Sequence, residues 1–273
     1  MIKIVTDSTC DLPKELFAKH HITVVPLSIH FGQETFRDGV TIDKPMLYER
    51  LYRDGLVPTT SQPSAGEFAE VYRELAREGD SILSLHISRK LSGTCQAAEI
   101  ARSMLPDLDI QVFDTQSVSA GIGFMVLEAA RKAEAGWSMA DILGYLSGLR
   151  KNVHLVFTPA TLKYLELSGR VNHFQSFTAS LLDIKPLIFL REGGLEPLEK
   201  VRTRKKALSR LIEVTAELQK EAKALSLAVI HAHAAEEAEA LMAQVREAFP
   251  SGETFIVDLT STLVVHGGPG VVG

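Results

Sequence analysis

The sequence predicts an α/β protein built from two domains. Short stretches rich in Val and Ile alternate with longer stretches in which apolar residues recur at helical spacing. This alternation is typical of a parallel sheet whose strands are connected by helices. The chain has 273 residues, whereas one domain typically has roughly 150. The pattern restarts beyond Lys151, so we predict an N-terminal α/β domain over residues 1–150 and a C-terminal α/β domain over residues 151–273.

The N-terminal domain is predicted to contain a mainly parallel sheet covered by helices. Asp11 precedes the first helix as a candidate N-cap, with Pro13 in the first turn, because a short polar side chain there accepts a backbone N–H. Ser64 and Glu67 match the S-x-x-E capping box of a later helix. The predicted strands are Ile2–Thr6, Ile22–Phe31, Ser81–Ser88 and Ile110–Asp114, and the predicted helices are Pro13–His20, Met46–Tyr52, Glu67–Glu78, Ser92–Met104, Ser119–Ala135 and Met139–Leu149.

The C-terminal domain is predicted to contain a mixed sheet. Gly193-Gly194 lies between two apolar runs, and a glycine pair in that position favours a hairpin turn and therefore an antiparallel pair of strands. The predicted strands are Val153–Phe157, Pro186–Leu190, Leu195–Val201, Leu227–His231 and Thr254–Leu259, and the predicted helices are Thr161–Leu167, Phe174–Leu182, Thr203–Ala224 and Ala235–Phe249.

Composition and charge exclude several classes of protein. The formal charge of −5 disfavours a general nucleic-acid binder, because affinity for phosphate backbones comes mainly from clustered Lys and Arg. No apolar run approaches the ~20 residues of a membrane helix, and Asp7 interrupts the first apolar stretch too early for a signal peptide. The two cysteines, Cys10 and Cys95, suit a reducing compartment. We therefore expect a cytoplasmic protein without an integral membrane segment.

Four polar segments stand out as candidates, because ligands in α/β sheets gather at the carboxyl ends of the strands. They are Thr6–Thr9, Thr59–Ser64, Ser88–Thr94 and His266–Gly270. Each has an ordinary structural interpretation, because Asp, Ser and Thr cap helices and a lone His is more often structural. The second segment holds more hydroxyl and amide groups than capping requires, which favours a ligand with oxygen acceptors. The glycines of the last segment would let the backbone approach a ligand closely.

The segment Ser88–Thr94 has features that suit an anion. It joins a predicted strand to a predicted helix, and Gly93 removes the side chain at the turn. The N-terminus of a helix presents unpaired N–H groups and a partial positive charge, an arrangement that suits a carboxylate or a phosphate.

Stronger signatures of catalysis are missing from the sequence. It contains no G-x-x-x-x-G-K-[ST] phosphate loop and no G-x-S-x-G nucleophile elbow. Gly121-Ile122-Gly123 lacks the third glycine of a dinucleotide motif and is interpreted as close helix packing. His231 and His233 would share one face of a strand, but no third metal ligand is evident. We therefore assign no catalytic residue, no cofactor and no metal site.

Taken together and in order, motifs along almost the whole chain resemble those of the DegV family of fatty-acid-binding proteins. The resemblance implies two α/β domains with a fatty acid held between them. It also implies a separate fatty acid kinase that phosphorylates the bound carboxylate, so that this chain is the carrier subunit and not an enzyme. The matching motifs are Val5–Pro13, Val25-Pro26-Leu27, Phe31-Gly32, Arg37-Asp38-Gly39, Thr60–Ser64, Leu91–Thr94, Asp114 to Gly123, Tyr164-Leu165, Ser168-Gly169-Arg170, Lys185-Pro186 and His266 to Gly270.

The resemblance also implies the residues of the ligand site. Thr60 and Ser92 match the hydroxyl residues that hold the fatty-acid carboxylate, His266 matches a histidine beside it, and Arg170 matches an arginine associated with the site mouth and with the kinase. We add the neighbours Ser61, Gly93 and Thr94 to the ligand set, and Arg202, Arg204 and Lys205 to a docking patch for the partner. Cys95 stands where an aromatic residue is common, and Leu167-Ser168 replaces a basic-glycine pair.

Two other functions remain open from the residues alone. The chain could be an enzyme in which Ser92 or His266 attacks an ester or a small carbonyl compound. It could instead be a regulatory module that senses a small ligand and docks on a partner through Arg170 and the basic run Arg202–Lys206.

Overall fold

The structure is a computed structural model that describes residues 1–55, 57–76, 79–170, 184–219, 226–249 and 252–273. These residues form two compact units. The first contains Met1–Val153 and Thr260–Thr262, and the second contains His154–Leu259 and Leu263–Gly273. The helix predicted at Phe174–Leu182 lies outside the described residues.

The first unit is built around the predicted parallel sheet. Its four strands lie in the order β2-β1-β6-β7 and all pair in parallel. A second sheet of three antiparallel strands, in the order β4-β3-β5, belongs to the same unit. The strands are β1 (Ile2–Asp7), β2 (Thr23–Val25), β3 (Ser28–Phe31), β4 (Glu34–Arg37), β5 (Thr59–Ser61), β6 (Ser81–His86) and β7 (Asp109–Asp114), and the helices are α1 (Lys14–Lys19), α2 (Lys44–Asp54), α3 (Ala65–Leu75), α4 (Thr94–Ser103), α5 (Ala120–Glu134) and α6 (Met139–Leu149).

Small and aromatic side chains pack α3 and α4 onto the parallel sheet. Phe68 and Tyr72 of α3 are fully buried, as are Ala98 and Ala101 of α4. These alanines let α4 lie close to the strands, and α5 packs against β1 and β6. The interpretation of Gly121–Gly123 as a close-packing segment is confirmed, since a side chain at Gly123 would come within 2.6 Å of the Asp11 carbonyl oxygen.

The prediction of one strand over Ile22–Phe31 is wrong. The chain forms two strands there, and they belong to different sheets: β2 pairs with β1, whereas β3 pairs with β4 and β5. Pro26 lies at the break and has no N–H to donate to a ladder. Val and Ile on both sides of the proline produced the appearance of a single strand.

The capping predictions for α1 and α3 have opposite outcomes. The Ser64–Glu67 capping box is present, with Glu67 N–H donating to Ser64 Oγ at 3.1 Å and Ser64 N–H donating to Glu67 Oε2 at 2.8 Å. Asp11, however, is not the N-cap of α1, because Pro13 holds that position and no side chain caps it. The Asp11 carboxylate instead accepts from Ser119 Oγ at 2.5 Å and from Thr260 N at 2.9 Å.

The second unit contains the predicted mixed sheet. Strands β8 (Val156–Phe157), β9 (Lys185–Arg191) and β10 (Gly194–Val201) pair antiparallel, and β11 (Leu227–His231) pairs in parallel with β12 (Thr254–Asp258). Val272 forms antiparallel bridges with both Thr158 and His231 and so joins the two groups of strands. The helices are α7 (Lys163–Leu167), α8 (Arg204–Leu218), α9 (Ala235–Ala248) and α10 (Ser261–Gly267), which begins among the residues of the first unit.

The predicted hairpin between β9 and β10 is confirmed. Its turn residues are Glu192 and Gly193, with φ of 48° and 80°, and Gly194 already belongs to β10. Two successive residues with positive φ are typical of the type I′ turn, whose twist matches that of the paired strands. Within the described residues, no helix is both long and apolar enough to cross a lipid bilayer.

Candidate functional site

The turn between β6 and α4 places two hydroxyl groups at the start of a ten-residue helix. Ser92 Oγ lies 2.8 Å from Thr94 Oγ1, and Thr94 N–H donates to Ser92 Oγ at 3.3 Å. Gly93 is the N-cap residue and supplies no side-chain hydrogen bond to the helix. Ser92 is partly exposed and Thr94 is buried. The predicted residues Ser92, Gly93 and Thr94 therefore form one group of donors at a helix N-terminus.

A buried carboxylate holds this turn to the sheet. Asp7, at the end of β1, accepts from Ile87 N at 3.1 Å and from Thr9 N at 2.9 Å, and it also bonds Thr9 Oγ1. The Nδ1 atom of His86 lies 3.0 Å from Asp7 Oδ2. Burial by itself raises the pKa of Asp7. His86 lowers this pKa through a hydrogen bond and a Coulombic attraction, and hydrogen bonds from Thr9 and Ile87 lower it further. The net result is a pKa below the ordinary value of an aspartate.

The network continues from His86 into the core. His86 Nε2 lies 2.6 Å from Ser84 Oγ, and Tyr72 Oη donates to Ser84 Oγ at 2.8 Å. Asp7, His86, Ser84 and Tyr72 are all fully buried. This connected set of polar side chains supports the turn that carries Ser92, and we did not predict it. Its signal in the sequence is the pair of polar residues, Ser84 and His86, spaced two apart among the apolar residues of β6.

Strand β5 brings the Thr59–Ser64 segment to the same turn through Gln62. A side chain added at Gly93 would lie 2.7 Å from Gln62 Nε2, so the amide of Gln62 covers the glycine. Gln62 was not among the predicted site residues. Thr60 and Ser61 are neighbours in a strand and point to opposite faces. Ser61 Oγ lies 2.9 Å from His30 Nε2, so the Ser61 hydroxyl contacts β3. The ligand roles of Thr60 and Ser61 stay predictions.

Arg89 near Ser92 is already paired, whereas Lys90, two residues before Ser92, is exposed. Arg89 forms a two-pronged pair with Glu99, at 2.9 and 2.5 Å, and its Nε lies 3.6 Å from Asp114. Burial, with the nearby Asp114 carboxylate, raises the pKa of Cys95 to about 12, so its thiol is uncharged at neutral pH. The arrangement can therefore bind a carboxylate through neutral hydroxyls and backbone amides.

His266 and Arg170 both belong to the second unit. Burial, helped by the positive charge of Arg170, lowers the pKa of His266 to about 4. The imidazole is therefore neutral at pH 7 and acts as a hydrogen-bonding group without charge. Arg170 is exposed, and its guanidinium donates to the Ser168 carbonyl.

The glycines after His266 serve packing within the second unit. Gly268 has φ of 80°, and a side chain there would lie 2.3 Å from the ring of Tyr164. A side chain at Gly270 would lie 2.7 Å from the Cβ of Ala160. This backbone therefore approaches the start of α7, and its approach to a ligand stays a prediction.

The predicted docking residues have unlike environments. Arg202 and Lys205 are exposed. Arg204 pairs with Glu237 at 2.6 Å and donates to the carbonyls of Thr158 and Gly270 at 3.2 and 2.7 Å. Its guanidinium therefore stabilises the second unit, and we remove Arg204 from the docking patch.

His231 and His233 do not share a strand face as the sequence suggested. β11 ends at His231, and His233 follows with φ of 53° outside the strand. His231 Nδ1 lies 3.5 Å from Asp258 Oδ1 instead. Across the described ranges, no group of three or more His, Cys, Asp or Glu residues could hold a metal ion.

Comparison with known proteins gives matches over the full chain. A family model described as "Uncharacterised protein, DegV family" matches residues 1–273. Protein DegV of Bacillus subtilis is 35% identical over 273 residues, which cover 100% of this chain and 97% of that protein. A DegV domain-containing protein of Deinococcus radiodurans is 35% identical over 272 residues, with 100% and 96% coverage.

Solved structures agree with this similarity. A DegV family protein from Thermus thermophilus, described by its fatty acid binding, has 37% identity and a TM-score of 0.93, and the match covers 100% of this chain and 97% of that one. A stearic acid-binding protein from Eubacterium ventriosum has 29% identity and a TM-score of 0.92, covering 100% and 97%.

Proposed function

Because the chain belongs to the DegV family, we propose that it binds a long-chain fatty acid and presents the carboxylate to a separate kinase, which forms an acyl phosphate. The observation that carries this proposal is the pair of hydroxyls, Ser92 and Thr94, at the N-terminus of α4, where the N-cap residue Gly93 has no side chain. The fatty acids named for similar structures support it.

At Ser92 and Thr94 the carboxylate is bound through hydrogen bonds from neutral groups. A carboxylate accepting from Ser92, Thr94 and the first amides of α4 gains about 1.5–3 kcal/mol for each charge-assisted bond. The helix N-terminus adds a favourable partial positive charge. We include Thr60, and also His266 and Arg170, in the ligand set on the family resemblance. His266 is uncharged at neutral pH, so it leaves the bound carboxylate negative and reactive toward a phosphoryl donor.

The alkyl chain supplies most of the affinity. Each buried methylene contributes about 0.8 kcal/mol, so a tail of about fourteen methylenes contributes about 11 kcal/mol before the costs of association. The carboxylate contacts then decide orientation, because a buried carboxylate without donors would cancel much of that gain.

The kinase partner docks on exposed basic side chains of the second unit. Arg202 and Lys205 are exposed, and with Arg170 they would attract an acidic surface on the partner. Charges of this kind chiefly accelerate association and are screened by salt. We therefore expect phosphorylation, but not fatty-acid binding, to weaken as ionic strength rises.

The carrier function is favoured over hydrolysis of an ester by Ser92. A serine nucleophile needs a base within hydrogen-bond reach. The partner of Ser92 Oγ is Thr94 Oγ1, and the buried His86 is engaged by Ser84 and Asp7. An ester turned over by the pure protein would restore the enzymatic alternative.

Native mass spectrometry of the purified protein tests ligand binding. We expect a fatty acid to co-purify, and delipidated protein should bind oleate stoichiometrically. A protein that purifies empty or with a phosphate compound, and that does not take up oleate, would contradict the proposal and favour the regulatory alternative.

Single substitutions then test the role of the hydroxyls. Ser92→Ala and Thr60→Ala should slow phosphorylation of bound oleate by more than they weaken its retention, because the tail holds the ligand. Ser103→Ala, at the other end of α4, where the hydroxyl donates to the Glu99 carbonyl, is the control and should change neither. Equal losses of retention and phosphorylation in the Ser92 and Thr60 variants would count against this division of roles.

A further inference from the structure

We propose that Asp11 and Asp38 are positioning residues: their carboxylates hold the amides of Thr260 and Thr262 and thereby set the start of α10, the helix that carries His266. Both acidic residues lie in motifs, Val5–Pro13 and Arg37-Asp38-Gly39, to which the proposed ligand site gives no role. The importance of His266 for a ligand rests on the proposed function. The hold of the two carboxylates on the Thr260–Thr262 segment does not rest on it.

The contacts are direct and buried. Asp11 Oδ1 accepts from Thr260 N at 2.9 Å, and Asp38 Oδ2 accepts from Thr262 N at 3.1 Å. Asp11 is 3% exposed and Asp38 is 5% exposed. Asp11 has further support, since Ser119 Oγ donates to its Oδ2 at 2.5 Å.

The held segment has an unusual place in the chain. Residues Thr260–Thr262 belong to the first unit, whereas Leu259 before them and Leu263 after them belong to the second. Thr262 lies one helical turn before His266 in α10. The amide of Thr262 therefore fixes the register of the turn from which the imidazole extends.

The strength of the hold changes with the ionisation of Asp11. Burial raises the pKa of Asp11 to about 7, against the hydrogen bonds from Ser119 and Thr260. The charged groups that face it are Lys44, which lowers its pKa, and Asp38, which raises it, and the neutral thiol of Cys10 lies beside it. Burial likewise raises the pKa of Asp38.

The sign of the pH effect follows from linkage. An Asp11 released to solvent ionises at its ordinary pKa of 3.8, whereas the held Asp11 ionises at about 7. The held arrangement is therefore most stable with a protonated Asp11. The free energy needed to open it falls as the pH rises from about 4 to about 7 and is constant above about pH 7. His266, with a pKa of about 4, does not titrate in the upper part of this range.

Amide hydrogen exchange in the ligand-free full chain tests the hold. After correction for intrinsic rates, opening at Thr260 should increase about tenfold per pH unit between about pH 5 and about pH 7 and then level off. Asp11→Asn keeps an acceptor for the amide and removes the charge, so its opening should be independent of pH and at least about tenfold rarer than in the wild type at pH 8. Asp107→Asn, an exposed change in the same unit, should follow the wild type.

Asp38→Asn and the His266 resonances give independent measurements. Removing the Asp38 charge should move the midpoint of the pH profile of Thr260 amide exchange to lower pH, because it removes the repulsion that raises the pKa of Asp11.

The ring resonances of His266 should follow the Asp11 transition between about pH 6 and pH 8 in the wild type. Their chemical shifts should not change over this range in Asp11→Asn. A flat wild-type exchange profile, or His266 resonances that ignore Asp11→Asn, would overturn the inference even where the variants fold poorly.

Oleate release separates this inference from the proposed function. We expect release to be slower at pH 8 from Asp11→Asn than from the wild type and Asp107→Asn. If oleate does not bind at all, the proposed function fails. Amide hydrogen exchange at Thr260 and the ring resonances of His266 still decide whether the two carboxylates position α10. If oleate binds and its release is the same in all three proteins, the ligand role of this positioning is refuted.

Discussion

Replacing Asp7 by Asn should destabilise the first unit by about 3 kcal/mol. The carboxylate accepts on both oxygens: Thr9 bonds Oδ1 through its backbone and its hydroxyl, while Ile87 N–H and the His86 ring bond Oδ2. Asparagine offers one oxygen to one pair of these donor groups and turns an NH₂ group toward the other pair. His86 or the Thr9 hydroxyl can reorient to accept from that NH₂, but a backbone N–H cannot.

The magnitude follows from this count of donors. One buried backbone N–H without an acceptor costs about 1–3 kcal/mol, and replacing charge-assisted bonds by neutral ones costs about 1 kcal/mol more. The sum agrees with the ~3–5 kcal/mol typical of breaking a buried charged pair. Because the folded pKa of Asp7 is lowered, this stabilisation is complete above about pH 4 and is lost as the pH falls further.

Guanidinium unfolding followed by tryptophan fluorescence measures this loss. Trp137 is the single tryptophan of the chain and lies in the first unit, so its signal reports on the unit that contains Asp7. Asp109→Asn is the control, because Asp109 is exposed and accepts from Ser81 Oγ at 2.6 Å. A difference between the two variants of less than about 0.5 kcal/mol, the usual size of a surface effect, would refute the reasoning.

Three further substitutions test the second unit by thermal or denaturant unfolding followed by circular dichroism. Gly268→Ala should cost more than about 2 kcal/mol, because its methyl would meet Tyr164 at 2.3 Å in a strained backbone; Gly136→Ala, with φ of 79° and open space, should show only the backbone cost of about 1 kcal/mol. Glu192→Asn should stabilise the β9–β10 hairpin by about 0.5 kcal/mol, since Asn tolerates positive φ; no gain would contradict the turn assignment. Arg204→Gln should cost about 1–2 kcal/mol through its lost bonds to Glu237 and two carbonyls; an unchanged midpoint would return Arg204 to the docking patch.

Features set by neighbouring residues could be predicted from the sequence. The Ser64–Glu67 capping box and the β9–β10 hairpin depend on two to four consecutive residues, and both are present. The Ser92–Thr94 group also lies within one turn, so its position at a helix N-terminus was predictable. In each case the chemistry that determines the geometry is local.

Features set by distant residues could not be predicted in this way. Asp11 has the sequence signature of an N-cap, but its carboxylate bonds residues 108 and 249 positions away. Ser61 belongs to a hydroxyl-rich segment, but its hydroxyl is engaged by His30, 31 residues away. Pairing over such separations depends on the completed fold, so propensity and spacing could not reveal it.

The return of residues 260–262 to the first unit limits how the protein can be divided. A fragment that stops at Val153 contains every strand of the parallel sheet, yet Asp11 and Asp38 would lose the two amides that they accept. Two carboxylates would then have fewer protein donors, which costs free energy unless water replaces the lost amides. We therefore expect a fragment that ends at Val153 to be less stable than the same unit in the full chain, and a grafted Thr260–Thr262 segment should restore part of that loss.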